Sequence, residues 1–508
     1  MAVPQPGGSS AAPKGLAPRG KLGVMPPGGW LAAASLVVTG AVLAIQWPTA
    51  AVLFGLLLVV LVLCVRAPVY AFALALVLFS FEGTIKMRLS VEGAPSPVAI
   101  GAACLDFAFL ASLTALLVHD RGRALVRVWE RATRLERVAA ALLAAWLVLS
   151  VLQIPLGGDL VNGLEGFRLT HLYVPALLGG VIVASQVPEQ RLAPLLLGVV
   201  ALAVTYAGVR GITGPSVNEQ VFAAQRGLNT TFGDLGRNTG SFTGPLGLVS
   251  FLVPAGLFCL VLSFLRAERR WISGLLFLLA MTGIIASFVR TTLVAVAAGA
   301  VLMAVLVLWN KGSRRRLGAY AVALVVLVSG GEYAATLIAS EVTPSTEWRA
   351  AGLARPFADY SVTTRFDRWQ HTLETVTDEP LGTGIGTLGR ATVEGRRGKY
   401  TDNSYLKILQ EQGPLGGLLF LGGLGGILLG TAIRLVRLDP SRRPIGTAAL
   451  AGVVGFLVLM VMAEYIEQPG KVLAWTLLGV AVWQGSVAGQ ADDVLANRDH
   501  DPDRTEGG

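Results

Sequence analysis

The sequence predicts an all-α, polytopic integral membrane protein with about fourteen transmembrane helices and one long structured extracytoplasmic loop. Three observations carry this. The 508 residues are 53% hydrophobic and only 14% charged, where a soluble chain carries about 25% charged residues. Apolar runs of about 17–25 residues recur along most of the chain. One polar stretch, about residues 341–416, interrupts them.

The first 28 residues are rich in Gly, Pro, Ala and Ser and read as a disordered cytoplasmic tail, with no apolar core of a signal peptide. Residues 29–339 hold eleven expected spans, near 30–46, 49–65, 68–82, 98–118, 138–154, 170–186, 192–212, 244–265, 272–289, 292–309 and 317–339. Residues 340–413 form the long loop. Residues 414–489 hold three more spans, near 414–433, 445–463 and 471–488, and 490–508 read as a second cytoplasmic tail.

Loop charges test this count. With the N-terminus inside, Arg66, the run from Arg121 to Arg137, Arg191, Arg266–Arg270, Lys311–Arg316 and Arg434–Arg443 all fall on one side. That is the positive-inside pattern, and it places both termini in the cytoplasm of an inner-membrane protein. The same pattern accounts for the net charge of +9 without a nucleic-acid partner. Cys64, Cys104 and Cys259 lie far apart in apolar spans, which argues against a disulfide framework or a cysteine metal site. No internal repeat is visible, unlike many transporters.

Within the long loop, Phe366, Trp369, Leu373 and Val376 recur at helical spacing, so a short surface helix is expected over 365–377, capped by Thr363 or Thr364 and ended before Pro380. Gly382, Gly384 and Gly386 predict a tight turn. A second helical stretch opens at Asp402 and stops at Gly413-Pro414, ahead of the next span.

Four segments then stand in order on the expected outer side. They are Gly240-Ser241-Phe242-Thr243-Gly244-Pro245; Ser287-Phe288-Val289-Arg290-Thr291; Arg365-x3-Trp369 followed by Pro380-Leu381-Gly382-x-Gly384-x-Gly386; and Asp402-Asn403, nine residues, then Gly413-Pro414-Leu415-Gly416. Together they resemble the O-antigen ligase/polymerase superfamily of bacterial membrane glycosyltransferases. There are departures: Asp402 stands where the family usually has His, Leu246 follows Pro245 in place of Asn, and the Ser-Arg corner carries two extra residues. The resemblance implies transfer of a glycan from a polyprenyl-pyrophosphate carrier to a glycan or other hydroxyl acceptor at the outer face of the bilayer. A flippase and chain-length regulators are the protein partners it implies.

That reaction needs a proton acceptor and positive charge for the pyrophosphate. No Asp-x-Asp metal motif lies in an outer loop, so no metal or other cofactor is expected, and arginine forks can hold the phosphates instead. Arg290, isolated between two spans, and Arg365 are the expected pyrophosphate ligands. Their bland alternatives are an interfacial arginine snorkelling to headgroups and a solvated helix face. Asp402 is the expected general base, against the alternative that it caps the helix it precedes. His171 and His371 are rival bases, the latter expected to pair with Asp367. Substrate contacts are expected from Arg168, His171, Arg237, Arg368, Trp369, Asn403, Glu464 and Glu467, with Glu464 and Glu467 also placed to pair with Arg290 or Arg365. Asp106 is expected to pair inside the bundle or to line a cavity. The function that the resemblance implies for these residues is that of a metal-independent, inverting polysaccharide polymerase or ligase. The rival is a lipid-linked oligosaccharide flippase or other polysaccharide transporter, which would move its substrate without cleaving a bond.

Overall fold

The computed structural model describes residues 45–157, 159–225, 231–232, 235–289, 291–308, 360–391, 400–437 and 443–499. The expected N-terminal tail, most of the span near 30–46, the span near 317–339, Arg290, the first part of the long loop and the last residues of the C-terminal tail lie outside them.

Helices dominate, and prolines open several. Pro48, Pro68, Pro97, Pro245 and Pro444 each sit in a first helical turn, where a missing N–H costs nothing. In chain order the helices are α1 Pro48–Arg66, α2 Pro68–Ser80, α3 Glu82–Val91, α4 Pro97–Asp120, α5 Arg123–Arg131, α6 Arg134–Gln153, α7 Leu160–Thr170, α8 Ala176–Gln186 and α9 Glu189–Thr213. Then come α10 Val217–Gln225, α11 Pro245–Leu265, α12 Arg270–Ala286, α13 Thr291–Leu308, α14 Tyr360–Asp378, α15 Ser404–Arg437, α16 Pro444–Met462 and α17 Lys471–Asp499. The described extended structure is one antiparallel pair, β1 Thr231–Phe232 with β2 Leu235–Gly236.

Among the described residues seven helices are long and apolar enough to cross a membrane, or eight if α2 and α3, bent by 61°, count as one broken span. Helices α8 and α12 are shorter apolar helices at expected spans, and so is the Thr291–Val301 part of α13. The chain is therefore a multi-pass membrane protein. The span expected near 68–82 ends at Phe81, where the chain turns into α3. Helix α17 runs on to Asp499, past the expected end of its span.

Helix α11 is the most buried span; α12 and α16 pack on it, α15 packs along α6, and α17 packs on α8. The last contact depends on small residues, as helix pairs in lipid commonly do. A Cβ on Gly479 would sit 1.9 Å from the Leu177 carbonyl oxygen, and one on Gly180 would sit 2.1 Å from that of Thr476. Gly479→Leu is expected to force these helices apart at a cost of about 1–3 kcal/mol or more. A thermal scan in detergent would show it, and an unchanged midpoint would mean that the helices do not meet there.

The two ends of the bundle differ in charge. At one end Arg434 bonds the Arg131 carbonyl and the Glu136 carboxylate, both at 2.5 Å, and Arg127 lies over the Trp483 ring at 5.0 Å. Arg266 and Arg443 both reach Glu189, at 3.1 and 3.7 Å. These are the basic loops that the charge pattern assigns to the inner side. The described part of the long loop meets two other loops expected on its side, Gly386 lying against Gly166 and Gly389 against Glu464 and Glu467.

Candidate active site

The site begins with helix α14. It starts at Tyr360, earlier than the spacing predicts, so Thr363 and Thr364 lie inside it rather than at its cap. Its packed face also differs from expectation. Thr372 and Val376 are buried and Arg365 and Trp369 half-buried, one line at spacings of four and three along the helix. Phe366 and Leu373 are exposed instead, about half accessible, and Phe366 meets the edge of Trp369 with ring centroids 5.3 Å apart.

From α14 the exposed Arg368 forms an ion pair with Asp402, which joins the loop helix to the start of α15. Asp402 is in the left-handed region, with φ of 51°. It does not cap α15. Asn403 does, its Oδ1 accepting from the backbone N–H groups of Tyr405 at 2.9 Å and Leu406 at 3.1 Å. The residues around Asp402 are fixed from the far side by the segment after α16. Glu464 accepts from Thr401, at 2.7 Å from the backbone nitrogen and 3.0 Å from the hydroxyl. Ser404 Oγ donates to the Ala463 carbonyl at 2.9 Å and accepts from the Ile466 N–H at 3.1 Å.

The glycine turn forms as expected, with φ of 83°, 92° and 82° at Gly382, Gly384 and Gly386. It wraps around a carboxylate. Glu411 Oε1 accepts from the N–H groups of Gly386 and Leu388, at 3.1 and 3.2 Å. Lys407 Nζ lies 2.5 Å from the same oxygen, 3.2 Å from the Leu388 carbonyl and 3.3 Å from Glu467 Oε1. All three charged side chains are buried. The turn also packs on the end of α6, where Gln153 Nε2 donates to the Leu381 carbonyl at 2.9 Å. Glycine at 413 breaks α15 there, with φ of 69° and ψ of 179°, which matches the expected stop.

Other expected residues arrive from separate loops. Arg237 donates to the Ser287 carbonyl at 3.0 Å. Arg237 and Arg365 both act electrostatically on the buried Tyr465 phenol. Burial holds that phenol up at about 12, while Thr291 and the two arginines pull it down. The outer segments therefore converge around Tyr465. Arg290 follows Ser287 by three residues but lies outside the described residues.

Some residues have other partners. Arg168 is bound to Asp106 at 2.5 Å and Glu165 at 2.7 Å, and Tyr173 donates to the same Asp106. This is the intrabundle pairing expected for Asp106. His171 is 1% exposed. It stacks on Phe167, lies 4.6 Å from the Trp146 ring and contacts Gln412 at 2.9 Å. His371 faces Glu374 at 3.8 Å rather than Asp367, because three residues along the helix also bring side chains together. Among the described residues, Glu464 and Glu467 meet Thr401, the Arg390 N–H and Lys407 rather than Arg365. No group of three or more His, Cys, Asp or Glu among the described residues could hold a metal ion.

Sequence reasoning missed Lys407 and Glu411. Their spacing of four inside a stretch read as helical was an available signal, since it puts opposite charges on one face.

The fold and site define a multi-pass membrane protein whose polar groups gather where the long loop meets the end of the helical bundle. Residues 274–421 match the family model described as O-Antigen ligase, and the resemblance to that superfamily is borne out over that segment. The matched segment includes Arg290, Arg365, Arg368, Trp369, the glycine turn, Asp402 and Asn403. Arg168, His171, Arg237, Glu464 and Glu467 lie outside it. No curated protein matches the chain. The domain supports a ligase- or polymerase-like function in surface polysaccharide assembly.

Proposed function

We propose that this protein transfers a glycan from a polyprenyl-pyrophosphate carrier to an acceptor hydroxyl at the outer face of the cytoplasmic membrane, with both termini inside. The observation that carries the proposal is the release of Asp402 from capping. With Asn403 on the helix N–H groups, the Asp402 carboxylate remains 26% accessible beside Arg368.

In the proposed step the acceptor oxygen attacks the anomeric carbon and passes its proton to Asp402. The bond from that carbon to the phosphate oxygen breaks, and the lipid pyrophosphate leaves with the electron pair. One displacement of this kind inverts the anomeric centre. Arg365 and Arg290 neutralise the leaving group, and no metal is required of them. Arg368 has two roles in turn. It pairs with Asp402 in the free protein, and the arriving pyrophosphate draws it away, which frees the base.

Purified protein incubated with lipid-linked repeat units tests this. Release of polyprenyl pyrophosphate together with glycan growth or transfer is expected. Arg365→Ala should lower the rate by about 10²-fold or more, as loss of a preorganised charge at the leaving group does. Movement of the lipid-linked glycan across vesicles without bond cleavage would favour the transporter reading and overturn this one.

A further inference from the structure

The buried polar lattice behind the site contains more acid than base. Three carboxyl groups, Glu411, Glu464 and Glu467, surround the ammonium of Lys407, and the buried Lys471 faces Glu467 as a second cation. Burial makes an uncompensated second negative charge costly, so such a group keeps a proton if a neighbour can receive it.

The geometry supplies the neighbour. Gly389 has φ of 73°, and a Cβ built on it would lie 2.7 Å from Glu464 Oε2 and 2.7 Å from both oxygens of Glu467. Three carboxyl oxygens thus gather around one point, with no side chain between them. Two of these, Glu464 Oε2 and Glu467 Oε1, are buried and accept no hydrogen bond, although Lys407 Nζ stands 3.3 Å from the second as an ion pair. The remaining oxygens are engaged. Glu464 Oε1 accepts from Thr401, and Glu467 Oε2 accepts from the Arg390 N–H at 2.9 Å.

We propose that Glu464 and Glu467 form a carboxyl pair sharing one proton over Gly389, and that Glu464 in this state is a positioning residue that presents Asp402 through Thr401. A proton on Glu464 Oε2 turns that orphaned oxygen into a donor and gives Glu467 Oε1 a hydrogen bond beside its ion pair with Lys407. Glu464 Oε1 stays free to hold Thr401, directly before Asp402. The role assigned to Asp402 rests on the function proposed above; the carboxyl pair does not.

Burial and then the charge of Glu467 raise the Glu464 carboxyl to about 8, with Lys407 and the Thr401 bonds opposing. The other groups facing the pair are Tyr400, which feels both glutamates, and Arg390 and Lys471, which face Glu467. An acid raised in the folded state stabilises the fold below its ordinary value near 4.5, and that contribution is lost as pH rises through about 8. Above that pH the two carboxylates repel, and the segment after α16 is pushed away from Thr401.

The test compares the full-length protein with E464Q and E464A. Glutamine keeps an acceptor for Thr401 and a donor for Glu467 but cannot ionise. Infrared spectroscopy should show a buried carboxylic-acid C=O band in the wild type that disappears near pH 8 and is absent from E464Q. Hydrogen exchange of the peptide around Thr401–Asn403, corrected for intrinsic rates, should rise between pH 6.5 and 9 in the wild type. It should stay flat in E464Q and be high throughout in E464A. The ratio of transfer rates at pH 9 and 7 should be closer to one in E464Q than in the wild type. Absence of the band, its persistence in E464Q, or equal exchange profiles in wild type and E464Q overturns the proposal. Loss of the transfer reading alone leaves the infrared and exchange results to decide it.

Discussion

Asp402→Asn is expected to lower glycan transfer by about 10²- to 10⁴-fold, the usual contribution of a general base, with little change in stability. The structure gives reasons for both halves of this expectation. Asparagine tolerates the left-handed backbone found at 402 nearly as well as aspartate, so the local path of the chain is kept. The ion pair that is lost involves an arginine side chain that is 47% accessible, and exposed pairs contribute only about 0–1 kcal/mol. The helix cap belongs to Asn403 and is untouched. What the substitution removes is a carboxylate able to take the acceptor proton. The measurement is polyprenyl pyrophosphate release from a lipid-linked repeat unit, with a thermal midpoint recorded on the same preparation. A variant that turns over at the wild-type rate would move the base elsewhere, even if the reaction class survives.

Lys407→Met is expected to have the largest effect on stability. The ammonium is fully buried and compensates Glu411 and Glu467 together. Removing one partner of a buried pair costs about 3–5 kcal/mol, because the stranded charge has no water to replace the lost contact. Glu411 holds the Gly386 and Leu388 N–H groups, so the glycine turn should loosen with it. The double variant Lys407→Met with Glu411→Gln should recover a large part of the loss. Its amide oxygen can still accept from both N–H groups, and no charge is left behind on that side chain. Thermal midpoints of the two singles and the double form the cycle that measures this. Additive losses would mean that packing, rather than charge, holds the turn.

The reading of Asp402 shows how far sequence reasoning went. It placed an acid and an amide side by side at a helix start, in a loop of the right length. Either side chain could satisfy the first helical N–H groups, and only backbone direction decides between them. A positive φ at 402 turns Asp402 toward α14 and leaves Asn403 on the helix axis. The choice between Arg365 and Arg368 is similar. They are three residues apart on one helix, yet one lies toward Tyr465 and the other meets Asp402. The stripe of Phe366 and Leu373 misled because apolar spacing identifies a helix and a face but not what covers that face. Near a membrane an apolar side chain need not turn to the protein. His171 looked like a reactive group at a span mouth and is packed among Trp146 and Phe167 instead.

By itself the sequence determined that this is a multi-pass helical membrane protein with its polar segments in a fixed order, because hydropathy, proline, glycine and loop charge act over a few residues and leave a local signal. It also marked the polar stretch near 341–416, all of which lies inside the segment that matches the O-antigen ligase model. Only the tertiary structure decided which polar groups meet. Thr401 and Glu464 are 63 residues apart, Arg168 and Asp106 are 62 apart, and no periodicity links such partners. Their pairing follows from burial, since a charged or polar group removed from water must find whatever partner the packing of distant helices brings within reach.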